Sequence, residues 1–245
     1  MTDHRVAIVT GASRGIGRAI ALHLAKAGCH VACCARSADK LAEVVKEIEE
    51  AGGSAEAVEM DVGDPESIRG GIDAIADKHG RLDVLVNNAG ITRDTLLLRM
   101  DDEQFDEVIN VNLKGVFVAV KAASRYLMRS KSGRIINIGS VSGVIGNKGQ
   151  ANYAASKSAL HGFTKTVARE LAGKGVTANV IAPGFVTSDM TDALGSKIKD
   201  EVVKLIPLGR FGTGDDIAAT VAFLASEAGG YITGQVLCVD GGMAM

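Results

Sequence analysis

Ser140, Tyr153 and Lys157 are side chains whose types and spacing could move a proton in this 245-residue sequence. Tyr153 and Lys157 stand four apart in the alanine-rich run YAASKSAL, which reads as a helix start because it is full of strong helix formers. Residues i and i+4 share a helix face, so the phenol and the ammonium come one turn apart. A lysine charge about 4 Å from a phenolate, at an effective dielectric of about 20, is worth ~4 kcal/mol. A tenfold change in an equilibrium is about 1.4 kcal/mol, so this lowers a tyrosine pKa from about 10 to near neutrality. Such a phenol gives or takes a proton at working pH, as general acid–base catalysis requires. Ser140 closes the apolar segment IINIGS and can bring its hydroxyl to the same point. The Tyr-x-x-x-Lys pair alone is a weak signal, and the elements around it decide its weight.

Those elements alternate along almost the whole chain. Strands are expected at Val6–Thr10, His30–Ala35, Ala55–Met60, Val84–Asn87, Arg134–Gly139, Thr177–Ile181 and Val236–Val239. Between them, Leu41, Val44, Val45 and Ile48, and then Ile68, Ile72 and Ile75, recur with helical spacing. Continuous apolar strands alternating with helices predict a parallel sheet covered on both faces. No linker or composition shift breaks the pattern. Residues 1–245 therefore read as a single doubly wound, Rossmann-type α/β domain of about seven strands.

The first strand runs into TGASRGIGRAI, with glycines at Gly11, Gly15 and Gly17 and a helical period at Ile16, Ile20 and Leu24. Gly11 suits a tight turn, and Gly15 and Gly17 let backbone amides approach a pyrophosphate. An NAD site commonly has an acid at the end of the second strand to bind the ribose 2′-hydroxyl. This chain has Cys34, Ala35 and Arg36 there, and its first acid is Asp39. Arg36, with Arg14 and Ser13, could hold a 2′-phosphate by charge-assisted hydrogen bonds, which favours NADP over NAD. Asp61 and Val62 follow the third strand, where an adenine could lie. After the fourth strand, NNAG offers turn geometry at Asn88 and close backbone approach at Gly90. Asn112 falls on the apolar stripe of a helix carrying Phe105, Val108, Ile109, Leu113, Val116, Phe117 and Val120. A buried amide needs partners: it either distorts the helix or holds a water beside Lys157. Pro183 and Gly184 make a turn at a strand end facing the crevice, so Thr187 is a candidate partner for a nicotinamide amide. Residues 187–210 read as a possible substrate lid.

Composition narrows the class. With 47% hydrophobic and 23% charged residues the chain is ordinary globular material, and a net charge of −2 gives no signal for nucleic acid or membrane. No apolar run approaches the roughly 18 residues of a membrane span. Cys29, Cys33, Cys34 and Cys238 lack C-x-x-C spacing and read as buried small hydrophobes in a reducing compartment; no metal site is expected. A strand from about Arg5 leaves no room for a secretory signal. The expected location is cytoplasmic, or an organelle of bacterial origin if a transit peptide has been removed.

Taken together, TGASRGIG, NNAG, Asn112, Ser140, YAASK and PG-x-x-T resemble the short-chain dehydrogenase/reductase family over essentially the entire chain. The nearer resemblance is to its 3-oxoacyl-(acyl carrier protein) reductases of type II fatty acid synthesis. It rests on NNAGITRD, IGSVSGVIGNKGQANYAASK, APGFVTSDMT and FLASEAGGYITGQVLCVDGGM. The resemblance implies that Tyr153 donates the proton to a ketone and Ser140 binds its oxygen. It implies that Lys157 holds the ribose and lowers the tyrosine pKa, and that Asn112 sustains a water relay. It adds Ile16, Ala89 and Val186 to the cofactor set. Related reductases often carry a small polar residue in place of Arg36. The resemblance also implies a homotetramer, with the two long helices near Asn112 and Tyr153 and the C-terminal strand at its interfaces.

An acyl carrier protein is acidic, and Arg125, Arg129, Lys131 and Lys174 are a candidate basic dock for it. Two other readings stay open. One is a short-chain dehydrogenase acting on a small ketone, sugar or steroid; the other is a non-catalytic nucleotide sensor or scaffold on the same fold.

Overall fold

Strands without a polar face have to be covered on both sides, and helices cover them here. The computed structural model describes residues 4–187 and 196–245. Seven strands form one parallel sheet in the order β3-β2-β1-β4-β5-β6-β7. They are β1 (Val6–Thr10), β2 (His30–Ala35), β3 (Ser54–Glu59), β4 (Val84–Asn87), β5 (Arg134–Ile138), β6 (Thr177–Pro183) and β7 (Val236–Val239). The inner strands β1, β4, β5 and β6 are buried at every residue, whereas the edge strands β3 and β7 are partly exposed.

One face of the sheet packs α3 (Pro65–His79), α5 (Gly115–Leu127) and α7 (Ala151–Leu171) through Ile68, Ile72, Val120, Leu160 and Leu171. The other packs α1 (Gly15–Lys26), α2 (Ala38–Glu50) and the helix Gly214–Ala225 through Ile20, Leu24, Leu41, Ile48, Val221 and Leu224. Between α3 and α5 lies α4 (Asp102–Ile109), and α6 (Ser142–Ile145) precedes α7. Helix ends carry their signals: Asp64 accepts from Glu66 N–H ahead of Pro65, and Asp101 forms a capping box with Gln104. The chain leaves the middle of the sheet in one direction through β2 and β3, and in the other through β4 to β7. Direction therefore reverses between β1 and β4, where doubly wound sheets open a crevice at their carboxyl ends.

Three expectations are corrected. The third strand shifts by a residue, the fifth ends one residue earlier and the sixth extends to Pro183. The single helix expected around Asn112 is α4 and α5 joined by one π-helical turn, Asn110–Lys114. That turn inserts a residue and rotates the stripe, so Phe105 and Phe117 are 40% and 46% exposed while Val108, Val116 and Val120 stay buried. Cys238 is exposed because it sits on the edge strand β7; Cys29, Cys33 and Cys34 are buried as free thiols. Of the segment 187–210 expected as a lid, Ser196–Lys204 is helical, and 188–195 lie outside the described residues. Among the described residues, no helix is long and apolar enough to cross a membrane.

Candidate active site

Ser140 follows β5 and Tyr153 lies in the first turn of α7, and the two meet. The Ser140 hydroxyl hydrogen-bonds the Tyr153 phenol and also accepts the Ser142 N–H at 3.1 Å. Lys157 is buried one turn further on. Its ammonium donates to the Ile138 carbonyl at the end of β5 at 2.8 Å and lies 5.7 Å from the Tyr153 ring centroid. Gly143 lets α6 reach α7, since a Cβ there would sit 2.8 Å from Ser158 N.

The electrostatics differ from the sequence expectation. Burial pushes the Tyr153 pKa above its ordinary value; the Ser140 hydrogen bond pulls it down and the Asp94 carboxylate pushes it up. Burial also pushes Lys157 down, to about 8. The expected lowering of Tyr153 by Lys157 is absent, because the ammonium points to a backbone carbonyl instead of the phenol oxygen. At neutral pH the arrangement holds a protonated phenol beside a largely charged ammonium. That is the starting state for giving a proton away.

Asn112 sits in the π turn and is fully buried. Its Oδ1 accepts the Ile91 N–H, and its Nδ2 donates to the Ile91 carbonyl and to Ser156 Oγ. Both amide hydrogens are thus engaged, and only a lone pair of Oδ1 is left for a water. A Cβ on Gly90 would lie 3.1 Å from Asn112 Oδ1 and 3.4 Å from Lys157 Nζ, so the two face each other across the bare glycine. The asparagine sits where the helix is distorted, and it borders the lysine across Gly90.

The glycine turn lies across the crevice. Gly11 and Gly15 have φ of +67° and +54°. A Cβ on Gly17 would meet Gly11 O at 2.1 Å and Asn88 Nδ2 at 2.5 Å. Asn88 Nδ2 donates to the carbonyls of Thr10 and Gly11, tying this turn to the one after β4. At the start of α1 no side chain caps the amides and the first turn has no acid, so these donors are open to an anion. Arg14 and Arg36 are exposed and make no ion pair with any described residue, and Ser13 is half-buried beside Arg14.

Asp61 folds on itself, its Oδ1 accepting the Gly63 N–H, while a Cβ on Gly115 would meet Val62 O at 2.5 Å. Gly184 packs against Asp240, Val186 bridges to Gly212, and Thr187 shares a small cleft with Gly15 and Gly214. Ile16 and Ala89 stand in the same two turns. One expected set is not brought to the crevice. Arg129, Lys131 and Lys174 lie just before β5 and β6, at the amino ends of the strands and away from the crevice, and Arg125 is paired with Asp73 on α3.

Thr10 was not singled out by the sequence reading. Its Oγ1 accepts the N–H groups of Asn88 and Ala89 at 3.0 and 3.1 Å. A lone hydroxyl closing an otherwise apolar strand was the available signal. Gln150 was also missed: it donates to Asp94 and accepts from Ser142 and Asn147 at the mouth of the crevice. Its partners come from three separate segments, and no local pattern marks them.

The family model described as enoyl-(acyl carrier protein) reductase matches residues 11–244. The chain belongs to the short-chain dehydrogenase/reductase family. Among curated relatives, the 3-oxoacyl-[acyl-carrier-protein] reductase FabG of Staphylococcus aureus (strain Mu50) is 52% identical over 240 residues, 98% of each chain. The 3-oxoacyl-[acyl-carrier-protein] reductase of Synechocystis sp. is 52% identical over 243 residues, covering 98% of this chain and 97% of its own. Among solved structures, a blue fluorescent protein from a metagenomic library, in complex with NADPH, superposes with a TM-score of 0.92. It is 42% identical, with 98% of both chains covered. The short-chain dehydrogenase/reductase likeness thus spans both the glycine turn and Ser140, Tyr153 and Lys157.

Proposed function

We propose that the protein reduces 3-oxoacyl-(acyl carrier protein) to the 3-hydroxyacyl form with NADPH, as a step of fatty acid synthesis. The observation that carries the reading is Ser140 hydrogen-bonded to a half-buried Tyr153 whose pKa is raised, beside the Lys157 ammonium and facing an open glycine turn. The relatives' names supply the substrate class.

The residues present fit the dinucleotide. Uncapped α1 amides behind Gly11, Gly15 and Gly17 would take the pyrophosphate, Arg14, Ser13 and Arg36 the 2′-phosphate, and Asp61 and Val62 the adenine. Asn88, Ala89, Gly90, Ile16 and the Pro183–Thr187 turn would line the rest, and Lys157 would hold the nicotinamide ribose. Bound NADPH supplies a hydride to the ketone carbon. Ser140 then hydrogen-bonds the ketone oxygen, and the Tyr153 phenol gives that oxygen its proton. Turned from the Ile138 carbonyl towards the phenol, the Lys157 ammonium would offset the negative charge left on its oxygen, and Asn112 would hold the water through which the proton is replaced.

For the carrier, two copies pairing α5 and α7 antiparallel would bring one copy's Lys174 end of α7 towards the other's Tyr153 end. Half-exposed Phe117, edge-on to Phe163, supports such a contact. In that homotetrameric arrangement Arg129, Lys131 and Lys174 would face the partner's crevice and dock the acidic carrier. The enzyme would work in the cytoplasm or in an organelle of bacterial origin. Reversing Arg129 and Lys131 to Glu should raise KM for carrier-bound substrate alone; an equal loss with free thioesters sinks the docking.

NADPH oxidation with an acetoacetyl thioester, run beside NADH, a crotonyl thioester and Tyr153→Phe, tests the main reading. Turnover specific to NADPH and to the ketone, and lost in Tyr153→Phe, is expected. Preference for the crotonyl thioester would instead support the enoyl reduction named by the family model's description.

A further inference from the structure

At the end of the sheet far from Tyr153, two histidines converge on one carboxylate. His30 opens β2, Glu56 lies on the edge strand β3 and His79 ends α3. Glu56 Oε1 is 2.6 Å from His79 Nε2 and 3.4 Å from His30 Nε2, and the imidazole rings are 4.4 Å apart at 42°. The three side chains are only 10–16% exposed. One candidate ligand atom from each lies within 4.8 Å of the other two.

We propose that His30, Glu56 and His79 bind a divalent first-row transition metal, Zn2+, that joins the edge strand to α3. Two imidazole nitrogens and one carboxylate oxygen suit Zn2+ better than Mg2+ or Ca2+, which prefer all-oxygen sets. Ligands about 2.0–2.1 Å from a tetrahedral zinc stand about 3.4 Å apart, so the His30–Glu56 spacing fits and the His79–Glu56 pair opens by about 0.8 Å. Water completes the fourth position. Ser54 Oγ lies 2.7 Å from His30 Nδ1 and orients that ring from behind, leaving Nε2 for the metal. One group competes: Lys78 donates to Glu56 Oε2 at 2.5 Å. Its side chain is 64% exposed, and the metal needs only Oε1, so Lys78 can stay or swing into solvent.

The test is titration of the whole protein with Co2+ and then Zn2+, followed by melting curves with and without Zn2+. Expected are one Co2+ per chain with the intense visible bands of four-coordinate cobalt, displacement by Zn2+, and a Zn2+-dependent rise in Tm. His79→Gln should abolish the bands, and Ser54→Ala should weaken binding by roughly tenfold. Absence of bands at micromolar cobalt, or equal bands in His79→Gln, overturns the site. If His79→Gln does not fold, Lys78→Met decides. Tighter Zn2+ binding on losing the competing ammonium supports the site, and unchanged or weaker binding refutes it. NADPH turnover should change less than about twofold with metal, because the trio stands at the opposite edge of the sheet from the catalytic groups.

Discussion

Asn112 closes a ring on Ile91, its Oδ1 accepting the Ile91 N–H at 2.8 Å and its Nδ2 donating to the Ile91 carbonyl at 2.9 Å. One side chain thereby satisfies both backbone groups of the residue that follows Gly90. Asn112→Ala leaves both without a partner, at about 1–3 kcal/mol each where water cannot reach. The expected outcome is a Tm lower by several degrees and a raised KM for NADPH, read by calorimetry and steady-state kinetics. An unchanged melting curve would show that water replaces the amide at no cost.

Lys157 sets up opposite effects on stability and turnover. Burial lowers its pKa from 10.5 to about 8, so between these values the unfolded chain holds more protons than the folded one. Stability attributable to this group rises with pH through that window, and below pH 8 its charge costs about 3 kcal/mol. Lys157→Met should melt at or above the wild type at pH 7, with that advantage shrinking towards pH 10. Its turnover should fall by at least ~10²-fold. In the wild type, reduction should decline as pH rises past about 8, because the ammonium is lost while Tyr153 keeps its proton.

Gly17 tests the nucleotide turn. An added methyl would lie 2.1 Å from Gly11 O and 2.5 Å from Asn88 Nδ2, and the first of these is backbone. Gly17→Ala should weaken NADPH binding in fluorescence titration by tenfold or more and lower Tm. Gly28→Ala is not a matched control, since Gly28 has φ +87°; Gly162→Ala, exposed within α7 with open space around it, should leave NADPH binding unchanged and, if anything, raise Tm.

The proposed role of Arg36 in cofactor choice has its own test. Hydrogen bonds to a charged group contribute about 1.5–3 kcal/mol, roughly 10–100-fold. Arg36→Ala should raise KM for NADPH by that factor and leave NADH unchanged. An equal rise for both would assign Arg36 to general structure.

How much of this was legible depends on how local each signal is. Val6–Thr10, His30–Ala35 and Val84–Asn87 could be read to the residue because parallel strands buried on both faces need unbroken apolar runs, and Val236–Val239 because its short apolar run stands out even at the sheet edge. Gly11, Gly15 and Gly17 were equally plain, since a close turn leaves no other residue type possible. The direction of the Tyr153 pKa shift was not, because it depends on where Lys157 points, and the Ile138 carbonyl that receives it is 19 residues away. The π turn was hidden because its residues keep an apolar rhythm that a regular helix would also show. His30, Glu56 and His79 meet only through the pairing of β2 with β3 and the return of α3.

The extra residue in Asn110–Lys114 also says what improvement would destroy. Removing one position there would let α4 run into α5 as an unbroken α-helix, with regular hydrogen bonds and no irregular turn. Each residue advances a helix by about 100°, so everything before the deletion would swing by more than a quarter turn. Asn112 would leave Ile91, and the Gly115 backbone would leave Val62. A selection for helicity alone would thus arrive at a tidier protein with a dismantled crevice.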